Sequence, residues 1–264
     1  MAFLFDLDGV FYEGDEAICG AAEVAVWVNQ NRIPHLFITN TSSRPRNALV
    51  QKLAGFGIQT DTSHIITPAV ATLGWLKQQP GDQRIALFVA PSTRDEFSSL
   101  PIWHEDDEQV TALVVGDLGE GWTFQVLNQA FRLLMRQPQP QLIALGMTRY
   151  WQAEDGLRLD VAPFIVALEH AADTQAVVMG KPAKPFYQAA LTILGESAAK
   201  TIMVGDDIHA DVAGAQNAGI PGILVKTGKF RPADLSRDIQ PLAVLESIRD
   251  LPGWWHRNQH SQSS

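Results

Sequence analysis

Ala2-Phe-Leu-Phe-Asp-Leu-Asp-Gly9 carries four apolar residues straight into two carboxylates and a glycine. The same arrangement recurs along the chain. His35-Leu-Phe-Ile38 runs into Thr39-Asn40-Thr41-Ser42, Ala176-Val-Val-Met179 into Gly180-Lys181-Pro182, and Thr201-Ile-Met-Val204 into Gly205-Asp206-Asp207. A further run, 220–225, ends at Lys226-Thr227-Gly228. Unbroken apolar runs of this length suit strands buried on both faces of a parallel sheet, where an alternating pattern would suit a half-exposed one. Helical patterns lie between the runs, at 22–30, 45–55, 185–194 and 211–218, with Gly57, Gly195 and Gly219 placed to stop helices. Strands alternating with helices predict a doubly wound α/β domain, whose ligands bind beyond the C-terminal ends of the strands. Asp6, Asp8, Thr39, Asn40, Lys181 and Asp206 are all expected at that edge.

The middle of the chain breaks the pattern. Runs at 84–90, 110–115 and 142–145 read as buried strands and 123–136 as a helix, but the strand with a polar tip stops near 40 and resumes near 176. Residues 69–174 are therefore expected to form an inserted α/β unit, and 1–68 with 175–264 the unit that carries the polar strand tips. The polar tail from His256 to Ser264 is expected to fray, and Trp254 and Trp255 to pack on the body or a partner.

Composition narrows the function. The chain has 264 residues, 46% hydrophobic and 19% charged, which is ordinary for a soluble protein with a sizeable core. A net charge of −9 argues against nucleic acid or an anionic membrane as the main partner. The N-terminus lacks a basic segment and meets two acids at once, so it does not read as a signal peptide. The single cysteine, Cys19, excludes an internal disulfide and fits the cytoplasm.

Asp6 and Asp8, spaced by one residue after a buried strand, place a nucleophile and an acid/base beside one pocket, although Asp-x-Asp-Gly alone also describes a plain turn. Asp206, Asp207 and Asp211 form a second acidic cluster, which also reads as a helix cap. Together on one edge, four or five carboxylates would repel one another strongly unless a divalent cation bound them. Oxygen ligands suit Mg²⁺, and no Cys or His cluster suggests zinc. Thr39 and Asn40 can donate to phosphoryl oxygens, though turn chemistry with Ser42 or Ser43 as a cap explains the same stretch. Lys181, a surface residue by base rate, gains weight from its place at a strand tip. Gly180-Lys181 lacks the spacing of a P-loop, and 116–121 does not fit a dinucleotide fingerprint. His209 reads as a surface residue.

The four tips, Asp6-Leu-Asp8-Gly9, Thr39-Asn40, Gly180-Lys181-Pro182 and Gly205-Asp206-Asp207-x3-Asp211, resemble in order and element the four motifs of the haloacid dehalogenase superfamily. The insertion resembles the large α/β cap of one subfamily, with Val114-Val-Gly-Asp117, Arg149-Tyr150 and Thr227-Gly-Lys-Phe-Arg-Pro232 adding to the likeness. The resemblance implies a Mg²⁺-dependent phosphatase acting on a small phosphorylated substrate: a monoester, pyrophosphate or a phosphoamino acid. It implies Asp6 as nucleophile and metal ligand, and Asp8 as general acid/base and backbone ligand. Thr39, Asn40 and Lys181 would bind the phosphoryl group, Asp206 would be a metal ligand, and Asp207 and Asp211 would orient the site. Some members with this cap carry Ser where this chain has Asp8, so the chain keeps a proton-transfer group that they lack. A phosphotransferase or phosphomutase with the same intermediate, or a non-enzymatic phospho-ligand binder, stands as the alternative. A homodimer is the expectation by analogy.

Overall fold

The computed structural model describes residues 1–42, 44–153, 155–236 and 238–259. Ser43, one of the two expected caps, and residues 260–264 of the polar tail lie outside the described residues; 256–259 complete the helix Leu251–Gln259. The chain divides into two compact units. One comprises 1–39, 46–66 and 190–264, the other 40–45 and 67–189.

The first unit is built on a six-stranded sheet, entirely parallel, in the order Ala243–Leu245, Gly222–Val225, Thr201–Gly205, Ala2–Asp6, His35–Ile38, Ile65–Ile66. Ala2–Asp6 sits inside it, paired with Thr201–Gly205 on one side and His35–Ile38 on the other. All five of its residues are buried, as the unbroken apolar run predicts. Phe3, Phe5, Phe37, Val204, Ile223 and Val225 face a core shared with Val24 and Val28 of the helix Ala21–Gln30. Trp255 joins them, its ring centroid 5.1 Å from that of Phe3, and Trp254 packs against the same cluster. Burying rings of this size stabilises by about 2–3 kcal/mol each before entropy is counted. Leu224 points the other way, onto Ile208 and Val212, so the sheet is covered on both faces. Among the described residues, no helix is long and apolar enough to cross a membrane.

The second unit has its own parallel sheet of four strands, in the order Val177–Val178, Gln141–Ala144, Ala112–Val115, Ile85–Phe88. Its core joins Phe88, Leu113, Val115, Leu142 and Ala144 to Leu133 and Leu134 of the helix Phe124–Leu134 and to Ile165 and Leu168 of the helix Ala162–Ala172. Thr123 starts the first of these helices by accepting the Val126 N–H at 3.2 Å. An antiparallel hairpin, Tyr150–Ala153 with Gly156–Leu159, lies between Gln141–Ala144 and the helix Ala162–Ala172 in the chain. One expectation is corrected here. The run 176–179 is a strand, as read, but it pairs with Gln141–Ala144 in the second sheet and adds nothing to the first. Its apolar residues specify a strand, half-buried at the edge of its sheet, and are silent on which neighbour it joins.

Candidate active site

The C-terminal edge of the six-stranded sheet carries three buried carboxylates. Asp6 is the last residue of its strand, Asp206 follows Thr201–Gly205 directly, and Asp211 lies one turn further on. Oxygens of Asp6, Asp206 and Asp211 all lie within 4.8 Å of one another, and each residue is at most 4% exposed. Adjacent parallel strands bring this about, since the pairing of Phe5 with Val204 puts the two tips side by side. Asp6 Oδ1 also accepts the Leu7 N–H at 2.8 Å, which orients its carboxylate relative to its own turn.

The turn after Asp6 needs glycine. Gly9 has φ +83°, in the left-handed region, and a Cβ there would overlap Asp206 Oδ2. The Gly9 N–H donates to Tyr12 C=O at 2.7 Å, closing the turn that leads into the short hairpin Tyr12–Glu13 with Glu16–Ala17. Asp8, within that turn, is exposed. A carboxyl in this position can meet a ligand's outward group, whereas Asp6 is enclosed.

Asp207 is the helix cap that the capping reading anticipates. Its Oδ1 accepts the N–H groups of His209 and Ala210, both at 2.9 Å. Its own N–H donates to Asp211 Oδ2 at 3.0 Å, and its C=O accepts from both Asp211 and Val212. That last bond, spanning five residues, gives the turn Ile208–Ala213 a wide π-helical form and leaves Asp211 facing the other carboxylates. His209 is exposed, as expected. Thr39 is buried just past His35–Ile38, its N–H bonded to Ile66 C=O at 3.1 Å.

The remaining two expected site residues, Asn40 and Lys181, belong to the second unit and are joined to each other. Asn40 Nδ2 donates to Lys181 C=O at 2.9 Å, and the Lys181 N–H donates to Asn40 Oδ1 at 2.7 Å. This reciprocal pair of bonds fixes the backbone that presents Lys181, a lysine only 8% exposed.

The donor set tells which ion fits. Three carboxylates with no sulfur or imidazole suit a hard, oxygen-seeking cation such as Mg²⁺ better than zinc or copper. Packed this closely in a buried site, three carboxylates need positive charge nearby.

Two family models match the chain, one for haloacid dehalogenase-like hydrolases over residues 3–102 and one described as HAD-hydrolase-like over 178–251. The phospholysine phosphohistidine inorganic pyrophosphate phosphatase of Bos taurus is 39% identical over 235 residues, spanning 88% of this chain and 84% of that protein. The chain belongs to the haloacid dehalogenase-like hydrolases. Haloacid dehalogenase-like hydrolase domain-containing protein 2 of Bos taurus is 38% identical, over 92% of this chain and 90% of its own length. The p-nitrophenyl phosphatase of Archaeoglobus fulgidus superposes with a TM-score of 0.84 at 26% identity, covering 95% and 97% of the two chains. The doubly wound α/β architecture is thus that of the family. Beyond its four motifs, this hydrolase edge contains contacts that sequence reading missed. The loop 227–229 donates to the Asp206 carboxylate, to the Gly9 carbonyl in the turn after Asp8, and to the Glu13 carboxylate. In the sequence that loop shows only as the polar end of the run 220–225 and by the likeness of 227–232 to the family.

Proposed function

We propose that this hydrolase is a Mg²⁺-dependent phosphatase that releases phosphate from a small phosphorylated substrate through an aspartyl-phosphate intermediate on Asp6. The observation that carries the reading is the buried triad of Asp6, Asp206 and Asp211 at one sheet edge, with an exposed Asp8 on the adjoining turn. The phosphatases among its relatives support the reaction class.

Asp6 and Asp206 would hold the ion, with the Asp8 backbone carbonyl as a further ligand and Asp207 and Asp211 orienting them. When bound, Mg²⁺ supplies charge neutralisation for the carboxylates and for the transferring phosphoryl group. In the first step an Asp6 oxygen forms a bond to phosphorus while the bond to the leaving oxygen breaks. Asp8 gives that oxygen its proton, so the leaving group departs as an alcohol. Thr39 and Asn40 donate to the phosphoryl oxygens and the Lys181 ammonium neutralises their growing charge. In the second step Asp8, now a carboxylate, takes a proton from water. The water oxygen bonds to phosphorus, the Asp6–phosphorus bond breaks, and inorganic phosphate leaves with Asp6 restored. The second unit is proposed as the cap that excludes water and selects the leaving group. A phosphate monoester is the substrate class this step describes, with pyrophosphate or a phosphoamino acid as the alternative small phosphorylated substrates. An ordinary soluble composition and a lone exposed thiol, Cys19, suit the cytoplasm.

The test is phosphate release from p-nitrophenyl phosphate by the wild type and by Asp6→Asn, each with and without Mg²⁺. Activity that requires Mg²⁺ and falls at least about 10³-fold in Asp6→Asn is expected, since that variant removes the nucleophile. Equal activity in Asp6→Asn would sink the mechanism.

A further inference from the structure

The strand Gly222–Val225 lies next to Thr201–Gly205 in the sheet, so the loop that follows it emerges beside Asp206. Three consecutive residues of that loop each reach a different part of the carboxylate edge. Thr227 Oγ1 donates to Gly9 C=O at 2.5 Å. The Gly228 N–H donates to Glu13 Oε1 at 2.6 Å. The Lys229 N–H donates to Asp206 Oδ2 at 2.7 Å, and Lys229 Nζ lies 3.8 Å from Asp207 Oδ2. Gly228, at φ +61°, leaves room for this approach; a Cβ there would overlap both Asp206 Oδ2 and Gly9 Cα. The Asp206 carboxylate is thus sandwiched between Gly9 and Gly228.

We propose that Thr227–Lys229 is a positioning clamp that sets Asp206 and the Asp8–Gly9 turn in their metal-binding arrangement, with Thr227 and Glu13 as its positioning side chains. The proposal rests on the phosphatase reading above and adds to it a part outside the four motifs. One Asp206 oxygen is committed to a backbone N–H by a charge-assisted bond, so the loop sets the rotation of the carboxylate before an ion arrives. Thr227 acts on the Gly9–Val10 peptide, one residue beyond Asp8. Its hydroxyl holds the Gly9 carbonyl and with it the direction in which the neighbouring Asp8 carbonyl points. Glu13 ties the hairpin Tyr12–Ala17 to the same loop, so the two sides of the turn move together.

The decisive variant is Thr227→Val, which keeps the side-chain outline and removes the donor. Mg²⁺ affinity, measured by calorimetry on the full chain, should fall about tenfold, with kcat/KM on p-nitrophenyl phosphate falling by a similar factor. The metal-free melting temperature should stay within about 3 °C of the wild type, the shift from well under 2 kcal/mol in a chain of this size. Thr227→Ser should recover both affinity and rate. Glu13 is exposed, so Glu13→Ala tests the same idea without touching the core; a Mg²⁺ affinity lowered at least threefold is expected, with Glu13→Gln, which keeps an acceptor, recovering it. Wild-type Mg²⁺ affinity in both Thr227→Val and Glu13→Ala would overturn the clamp, as would failure of Thr227→Ser to recover. Should Thr227→Val fail to fold, the Glu13 pair decides alone. A wild type that neither binds Mg²⁺ nor releases phosphate would overturn the phosphatase reading and the clamp with it. A wild type that does both while the variants match it would remove the clamp only.

Discussion

The two sheets of this chain are made in the same way and end differently. Each is parallel throughout, and each is built from short unbroken apolar runs such as Ala2–Asp6 and Ala112–Val115. The residues just past the strands separate them. In the first sheet these are Leu7-Asp8, Thr39, Thr67, Asp206-Asp207, Lys226-Thr227 and Glu246, and Asp6 closes its own strand. In the second they are Val89-Ala90, Gly116-Asp117, Leu145-Gly146 and Met179-Gly180-Lys181, so Asp117 is the single acid among them. Burial of the runs supplies the fold in both cases. On the proposed reading the chemistry resides in what the chain places at the strand tips, and among the described residues only the first sheet gathers a cluster of carboxylates there.

The strongest way to break that comparison is to neutralise one tip from each sheet. Asp206→Asn should lower Mg²⁺-dependent phosphate release by on the order of 10²–10³-fold, as loss of a group that stabilises developing charge does elsewhere. Its Mg²⁺ affinity should drop in parallel, while the metal-free melting temperature should hold or rise by a few degrees as repulsion within the triad is relieved. Asp117→Asn should stay within about threefold of the wild type, since it leaves a turn whose carboxylate accepts only the Gly119 N–H among the bonds described. Equal losses in the two variants would mean that both sheets carry chemistry.

Packing should show the reverse dependence. Leu113 is fully buried at the centre of the second core. Leu113→Ala should cost about 2–5 kcal/mol in urea-induced unfolding through the cavity it leaves. Calorimetry below the transition should find the Mg²⁺ affinity of the folded protein unchanged. A loss of affinity larger than about threefold would show that the carboxylate edge depends on the second core, which the comparison denies.

What was legible follows from how local each signal is. The long strands were readable because full burial on two faces demands runs such as Phe3 to Phe5 and Thr201 to Val204, and burial leaves few alternatives. Ile65–Ile66 and Ala243–Leu245 were not, being too short to stand out from loop sequence. The hairpin Tyr150–Ala153 with Gly156–Leu159 was missed because exposed residues such as Leu157 and Leu159 blur the alternation that marks a strand. The strand at 177–178 was found but placed in the wrong sheet, since apolar composition says nothing of partners. At the site, each carboxylate announced itself by type and spacing. The convergence of Asp211 with Asp6 and Asp206 depended on the π-helical turn after Asp207, and the clamp on bonds between residues 218 apart in sequence. Neither leaves a mark in the local sequence.

The smallest expected effect lies at the opposite end of the Asp6 neighbour strand, where titration changes stability and leaves chemistry alone. His35 is the first residue of His35–Ile38, buried between Phe5 and Phe37 with ring centroids at 6.2 and 5.5 Å. Burial holds its pKa below the usual 6.5, against a bond from the ring to Ile33 C=O, with the nearby His64 pushing in the same direction as burial. Asp61, bonded to Ser63 and His64, is held down at about 2 and stays ionised throughout the range concerned. The unfolded chain therefore takes up a proton at His35 near pH 6.5 that the folded chain refuses, and stability is lost as pH falls from there toward the lowered value. His35→Gln, neutral at every pH, should flatten the pH dependence of the melting temperature between pH 7.5 and about 5.5 by at most one proton's worth. Mg²⁺ affinity at pH 7.5 should be the same in both proteins. A slope unchanged in His35→Gln would mean that His35 is protonated in the fold, and a changed affinity would tie the base of the first sheet to the carboxylates at its tips.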